Sequence, residues 1–391
     1  MRGGAMNLPV YLDYASTTPV APEVQEAMLP FFSQQFGNAS SVHSMGLQAR
    51  AAVEQAREIL AGAINAAPEE IVFTSGATES NNTTILETVS ARQPGPCRLA
   101  STRIEHSSVL EPLRRAADLG GALDWIPVDQ EGTVAAEDVE HALRPDTVLV
   151  SIMHANNEIG TIQPVAEIGA ICRERRVLFH CDAAQTFCKL PIDVRRMNID
   201  MMSLSAHKIY GPKGVGALFV RSGVRLPAFL RGGDQERGRR GGTINVAGIV
   251  GFGRATECAL STMQAEGSRL ASLRDRLIDG ALAAIPLSSL TGSRSNRLAN
   301  NVHLCIHSIE GEAMLLALDS AGICVSAGSA CSAGSTEPSH VLIALGIERE
   351  RARGAIRLTL GRSTSSEIVD YTIRALAATV AELRSMCGGN G

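Results

Sequence analysis

Short apolar runs alternating with stretches of helical periodicity constrain this chain more than any other feature. Leu47, Ala51, Ala56, Ile59, Leu60 and Ala63 recur at helical spacing within residues 45–64, and Ile71-Val-Phe-Thr74 then reads as a short buried strand. Further strand-like runs occupy 98–102, 123–128, 147–153, 177–181, 201–205 and 215–220, with helical stretches such as 165–176 between several of them. That order predicts an α/β fold with a mostly parallel, doubly wound, seven-stranded sheet. The run 217–220 follows Lys208 after only a Gly-rich turn, so it is expected to pair antiparallel at an edge of the sheet. From about Cys258 the pattern changes to a long Ala/Leu/Arg-rich helix ending near Ala284, then a strand at 301–306, a helix at 311–320 and a strand at 355–360. A second, smaller α+β domain is expected there, as 391 residues exceed one typical domain.

The polar groups that close the apolar runs share a chemistry. Asp182-Ala-Ala-Gln185 ends one run, and Ser205-Ala-His207-Lys208 ends the next. Taken singly, a lysine after a strand is usually a surface charge and an aspartate a helix cap. Ligands of open α/β sheets, however, bind outside the carboxyl ends of the strands, so residues at consecutive ends share one crevice. Pyridoxal phosphate needs an amine for a Schiff base, an acid for its pyridine nitrogen, and donors for its phenolate oxygen and phosphate. Lys208, Asp182, Gln185, and Ser205 with His207 can meet those needs in that order.

Thr74-Ser-Gly-Ala-Thr-Glu-Ser-Asn81 lies between a strand and a helix, where Gly76, Ala77 and Thr78 can cradle a phosphate on free backbone N–H groups. His106 follows the 98–102 run and offers a ring to stack on a cofactor and shuttle protons. Asn157, in His154-Ala-Asn-Asn-Glu-Ile-Gly160, is either a turn residue or a donor to the phenolate oxygen beside Gln185. Cys331 has only Ser, Ala and Gly near it, so it reads as an exposed, mobile loop thiol rather than a core residue. At a pKa near 8.5 a free thiol is only a few per cent thiolate at neutral pH, so this one needs activation. Arg357 is a candidate fork for a substrate carboxylate. Gly211-Pro-Lys-Gly-Val-Gly216 lacks the spacing and context of a nucleotide loop, and 231–243 lacks the aromatics of an RNA-binding segment.

Composition excludes several classes. A net charge of −4 gives no bulk field for nucleic acid, and no run of about 18 apolar residues suggests a membrane span. Nine cysteines without a Cys-x-x-Cys pair argue for a reducing compartment and against structural zinc, so no metal is assigned. The first residues lack the apolar stretch of a secretory signal, Met6 is a second candidate start, and a cytoplasmic protein is expected.

Together these motifs resemble the cysteine desulfurases of the NifS/IscS type, within the class V aminotransferase group of fold-type I pyridoxal-phosphate enzymes. The likeness also takes in Tyr11-Leu-Asp-Tyr-Ala-Ser-Thr-Thr-Pro19, Phe36-Gly-Asn38, Gly328-Ser-Ala-Cys331-Ser and Glu337-Pro-Ser-His340. It implies a large cofactor domain at 16–258, and a small domain from 1–15 and 259–391 that carries the Cys331 loop. Lys208 would be the Schiff-base lysine, Asp182 the partner of the pyridine nitrogen, and His106 the ring over the cofactor. Gln185 and Asn157 would face the phenolate oxygen. Ala77, Thr78, Ser205, His207 and a neighbouring subunit's Thr243 would hold the phosphate, and Asn38 with Arg357 the substrate carboxylate. Cys331 would accept sulfur from L-cysteine as a persulfide, leaving alanine, and would serve at most as a transient cluster ligand. The implied partners are a second copy in a homodimer and a sulfur acceptor: an iron-sulfur scaffold, a tRNA thiolation protein or a DNA sulfur-modification protein. A selenocysteine lyase, a cysteine-sulfinate-processing enzyme, a class V aminotransferase and a non-catalytic sulfur carrier are the alternatives. Ala206, Ala39 and Asp234 depart from the usual residues of the family.

Overall fold

The computed structural model describes residues 9–92, 94–327 and 337–388. The chain enters with a short strand, β1 (Val10–Tyr11), and next builds β2 (Ile71–Thr74), β3 (Arg98–Thr102), β4 (Ala122–Ile126), β5 (Thr147–Ser151), β6 (Leu178–Asp182), β7 (Met201–Ser205) and β8 (Gly216–Val220). The last seven form one sheet in the order β2-β8-β7-β6-β5-β3-β4. β5 and β7 are buried at every residue, as strands covered by helices on both faces must be. The helices that cover them bury small and branched residues along one stripe; in Ser44–Ala63 these include Gly46, Ala49, Val53, Ala56 and Leu60.

β8 pairs antiparallel as expected, but it does not lie at an edge. β2 pairs antiparallel with its other side, so β8 sits between β2 and β7 and the sheet ends at β2 and β4. Being antiparallel to β8, β2 runs in the same direction as the other five strands. Its carboxyl end, and the start of the helix Ala77–Ser90, therefore lie on the same side of the sheet as the ends of β3, β5, β6 and β7. The run expected at 147–153 stops at Ser151 because the Met153 N–H turns to the Glu105 carboxyl oxygen instead of the ladder.

Beyond the sheet, the helix Val246–Ala284 begins well before Cys258, where the Asn245 side chain accepts from the Gly248 N–H. This single helix crosses the 258/259 boundary. The second unit contains β9 (Ser288–Leu290), β10 (Asn301–Ile306), β11 (Ile323–Cys324) and β12 (Ala355–Thr359); β10 lies between β9 and β12, and β11 pairs with β1. Leu12, Leu304, Ile356, Leu358 and Leu376 belong to its core, so the N-terminal segment is built into this unit.

Candidate active site

The strand ends meet around a cavity of about 570 Å³. Eleven of the fourteen candidate site residues named from the sequence line it: Gly76, Ala77, Thr78, His106, Asn157, Asp182, Gln185, Ser205, His207, Lys208 and Arg357. Asn38 does not. It is exposed, with its side-chain oxygen accepting from the Ser40 N–H. Thr243 lines a smaller recess that shares Ser75, Gly214 and Val215 with the main cavity. Cys331 lies outside the described residues.

Lys208 closes the short turn after β7 and donates from Nζ to the carbonyls of Ala15 (2.6 Å) and Ser16 (2.7 Å). The Gln185 amide donates to the same Ala15 carbonyl at 2.9 Å. Asp182, the last residue of β6, is buried, with Oδ1 accepting from the Ala184 N–H (2.9 Å) and Oδ2 from Asn81 Nδ2 (2.8 Å). Asn81 Nδ2 also donates to Ser108 Oγ at 2.8 Å, and that hydroxyl lies 2.8 Å from His106 Nδ1. His106 Nδ1 accepts from the Ser108 N–H and caps the helix Ser107–Asp118, so the neutral ring carries its proton on Nε2 and the Ser108 hydroxyl donates to Nδ1. A continuous chain of hydrogen bonds thus joins Asp182 to His106. Asn81 closes the run 74–81 quoted above and Ser108 follows His106 by two residues, but nothing in their spacing distinguishes either from a helix-face residue.

The phosphate end is a helix start without a side-chain cap. Gly76 precedes the helix Ala77–Ser90 at φ +156°, and the start of β8 passes so close that a Cβ on Gly216 would fall 2.6 Å from the Gly76 Cα. Beside it, His207 Nδ1 pairs with Thr17 Oγ1 at 3.1 Å. Burial lowers the His207 pKa to about 4, and the charges of Lys208, Lys213 and Lys189 push in the same direction. An uncapped helix N-terminus with Lys208 and Lys213 on the same cavity favours an anion.

Arg357, on β12, is 2% exposed and its fork is already engaged. Nη2 donates to Asp13 Oδ1 and Ser16 Oγ, both at 2.8 Å, and Nη1 to the Asn157 carbonyl at 3.0 Å. A carboxylate entering this fork must therefore displace or share Asp13, a residue that sequence reasoning did not single out. In the loop 231–243 it is Glu236 rather than Asp234 that carries the structure. Its carboxylate takes Arg57 in a two-pronged buried pair (2.7 and 2.8 Å) and accepts from the Phe73 N–H on β2. Arg240 of the same loop pairs with Glu79, next to Thr78.

Residues 10–372 match the family described as Aminotransferase class-V. The chain belongs to that family. It is 48% identical over 381 residues, 97% of both chains, to "Cysteine desulfurase IscS" from Dictyoglomus turgidum. Among solved structures it resembles a "NIFS-LIKE PROTEIN" with a TM-score of 0.91 at 36% identity, covering 96% of this chain and 100% of the other. It also resembles "SspA in complex with cysteine", with a TM-score of 0.80 at 40% identity, covering 90% and 98%. Class-V enzymes of this kind use pyridoxal phosphate, and the cavity fits it: an amine, a buried carboxylate and an uncapped helix start face one space.

Proposed function

We propose that the protein is a pyridoxal-phosphate-dependent cysteine desulfurase that converts L-cysteine to L-alanine and keeps the sulfur on Cys331. One observation supports this beyond family membership: described residues on either side of the segment bearing Cys331 are bonded to Arg357, which lines the cavity, and to Glu158, next to the cavity-lining Asn157. Ser326 is bridged to Arg357 through both backbone hydrogen bonds, and Ser339 donates to Glu158, the neighbour of Asn157. Cys331 is five residues beyond Ser326, a reach of about 17 Å at roughly 3.4 Å per residue. That reach is long enough to let the thiol meet a substrate in the cavity.

In this reading Lys208 holds the cofactor covalently, and Ala77, Thr78, Ser205 and His207 hold its phosphate. Asp182 keeps a negative charge at the pyridine nitrogen, with Asn81 fixing its orientation. Asn157 and Gln185 face the phenolate oxygen, and His106 covers the ring. When bound, pyridoxal phosphate supplies an electron sink that loosens the substrate's α-proton and Cβ–Sγ bond. Arg357 and Asn38 receive the carboxylate. The Cys331 thiolate bonds to the substrate sulfur, the Cβ–Sγ bond breaks, and the carbon is protonated, so L-cysteine and one thiol become L-alanine and one persulfide. The persulfide then passes to an acceptor thiol of an iron-sulfur scaffold, a tRNA thiolation protein or a DNA sulfur-modification protein.

A homodimer follows from the same reading. Leu29, Phe32, Phe36, Val42 and Leu47 are exposed within one stretch that also holds Asn38, more apolar surface than an isolated chain usually leaves in water. Packing a second copy there would cover this apolar surface, and Thr243 is assigned to the partner's phosphate. Among the described residues no helix is long and apolar enough to cross a membrane.

The test is the product balance of Cys331→Ser with L-cysteine. Cofactor binding and α-proton exchange should persist, while persulfide and stoichiometric alanine disappear. Sulfide and alanine at the wild-type rate, with added thiols excluded as acceptors, would favour the lyase alternative.

A further inference from the structure

The motif Glu337-Pro-Ser-His340 has no part in the chemistry above, yet its last two residues are tied to the two turns that carry His106 and Asn157. Ser339 is buried; its hydroxyl donates to Glu158 Oε2 and accepts from the Val341 N–H at 3.1 Å. His340 Nε2 donates to the Glu105 carbonyl at 2.9 Å, one residue before His106. Behind them Val341, Leu342 and Leu345 pack with Ile104 and Ile159 in a separate small core. The short helix His340–Ala344 is therefore seated by apolar contact, and the Ser339–Glu158 bond sets where the chain leaves it. Glu158 is buried among few partners. Burial raises its pKa to about 7, while the Ser339 hydroxyl, Arg357 and His106 oppose that shift, so losing the hydroxyl leaves the carboxyl short of a donor.

We propose that Ser339 and Glu158 are positioning residues for sulfur transfer, their hydrogen bond holding the C-terminal stem of the Cys331 segment against the Asn157 wall of the cavity. The inference rests on the desulfurase reading. Cys331 is eight residues before Ser339, so the direction in which the chain leaves this anchor limits where the thiol can travel. Steps that precede sulfur transfer do not depend on the anchor. A hydrogen bond to a buried carboxyl typically governs one order of magnitude or more in an equilibrium, so loss of the contact should slow the Cys331-dependent step about tenfold.

Three variants of the holoenzyme separate positioning from helix capping. Ser339→Thr keeps a hydroxyl that both caps and donates, Ser339→Ala loses both functions, and Ser339→Gly keeps most of the capping preference but has no donor for Glu158. We expect Thr to form alanine and persulfide at nearly the wild-type rate. Ala and Gly should both slow that rate about tenfold, with α-proton exchange and the KM for L-cysteine unchanged. A Gly variant as fast as wild type would show that the cap alone matters and overturn the proposal, as would a parallel fall of exchange and alanine formation in the Ala variant. If the wild-type protein forms no alanine or persulfide at all, the desulfurase reading fails first, and the exchange rates identify that case separately.

Discussion

The buried pair between Arg57 and Glu236 permits a worked prediction, because it ties the Gly-rich loop to the edge strand β2 in a setting with little water. The two side chains are 5% and 2% exposed, and Glu236 satisfies both guanidinium prongs and the Phe73 N–H. Glu236→Ala leaves Arg57 with the Ile71 carbonyl at 2.8 Å and the half-exposed Glu54, and strands one backbone donor of β2. Breaking one side of a buried pair costs about 3–5 kcal/mol, and the orphaned N–H adds about 1 kcal/mol. The retained Ile71 and Glu54 contacts offset part of this, so a net loss of about 4 kcal/mol is expected. Arg57→Met with Glu236→Met should be less destabilised than Glu236→Met alone by about 2 kcal/mol, since no charge is then left buried. Trp125, the one tryptophan of the chain, lies on β4 of the same sheet and reports unfolding of this unit in urea. A loss below about 1 kcal/mol for Glu236→Ala, or a double variant worse than Glu236→Met, would refute the reasoning.

Asn81→Ala should reduce α-proton exchange from L-cysteine about tenfold, because Asp182 loses one of its two donors and His106 its link to Asp182; exchange at the wild-type rate would remove Asn81 from this role. Lys208→Ala should abolish borohydride-reducible attachment of the cofactor while leaving it bound noncovalently at the phosphate; persistence of the attachment sinks the assignment of Lys208. Burial raises the Glu105 pKa to about 8, so its contribution to stability is complete below the ordinary carboxyl range and disappears as pH rises through about 8. The stability of wild type relative to Glu105→Gln, read from urea midpoints at pH 5, 6.5 and 8, should therefore fall as pH rises; a constant difference counts against a neutral Glu105. Hybrid dimers of Lys208→Ala and Thr243→Ala chains should recover activity in half of their sites, and hybrids without recovery, given a defective Thr243→Ala parent, would place Thr243 in its own chain's site.

What could be read from the sequence was what the carboxyl ends of the strands bring together. Asp182, Gln185, Ser205 and Lys208 follow consecutive apolar runs, and a parallel sheet places such residues on one side whatever the order of its strands. Strand order itself leaves no mark in the spacing, which is why β8 was expected at an edge that β2 occupies. Residues acting through others were equally silent. Asn81 looks like any polar residue near the start of a helix, and Arg57 and Glu236 are 179 positions apart. Asp13 gains meaning only when β1 has paired with β11 and brought it to Arg357.

That last contact explains why the N-terminal segment is shared between the two units. Leu12 is locked in the core of the smaller unit, and the Ala15 N–H bonds Thr359 Oγ1 on β12. Within the same few residues, the carbonyls of Ala15 and Ser16 take Lys208 and Gln185, Thr17 takes His207, and Asp13 takes Arg357. Lys208, Gln185, His207 and Arg357, which all line the cavity, are thus held by residues 13–17, directly after the strand that pairs with β11. Substitutions that loosen residues 13–17 from Thr359 or Arg357 should therefore disturb the placement of Lys208 and Gln185, whose acceptors in this segment are backbone carbonyls.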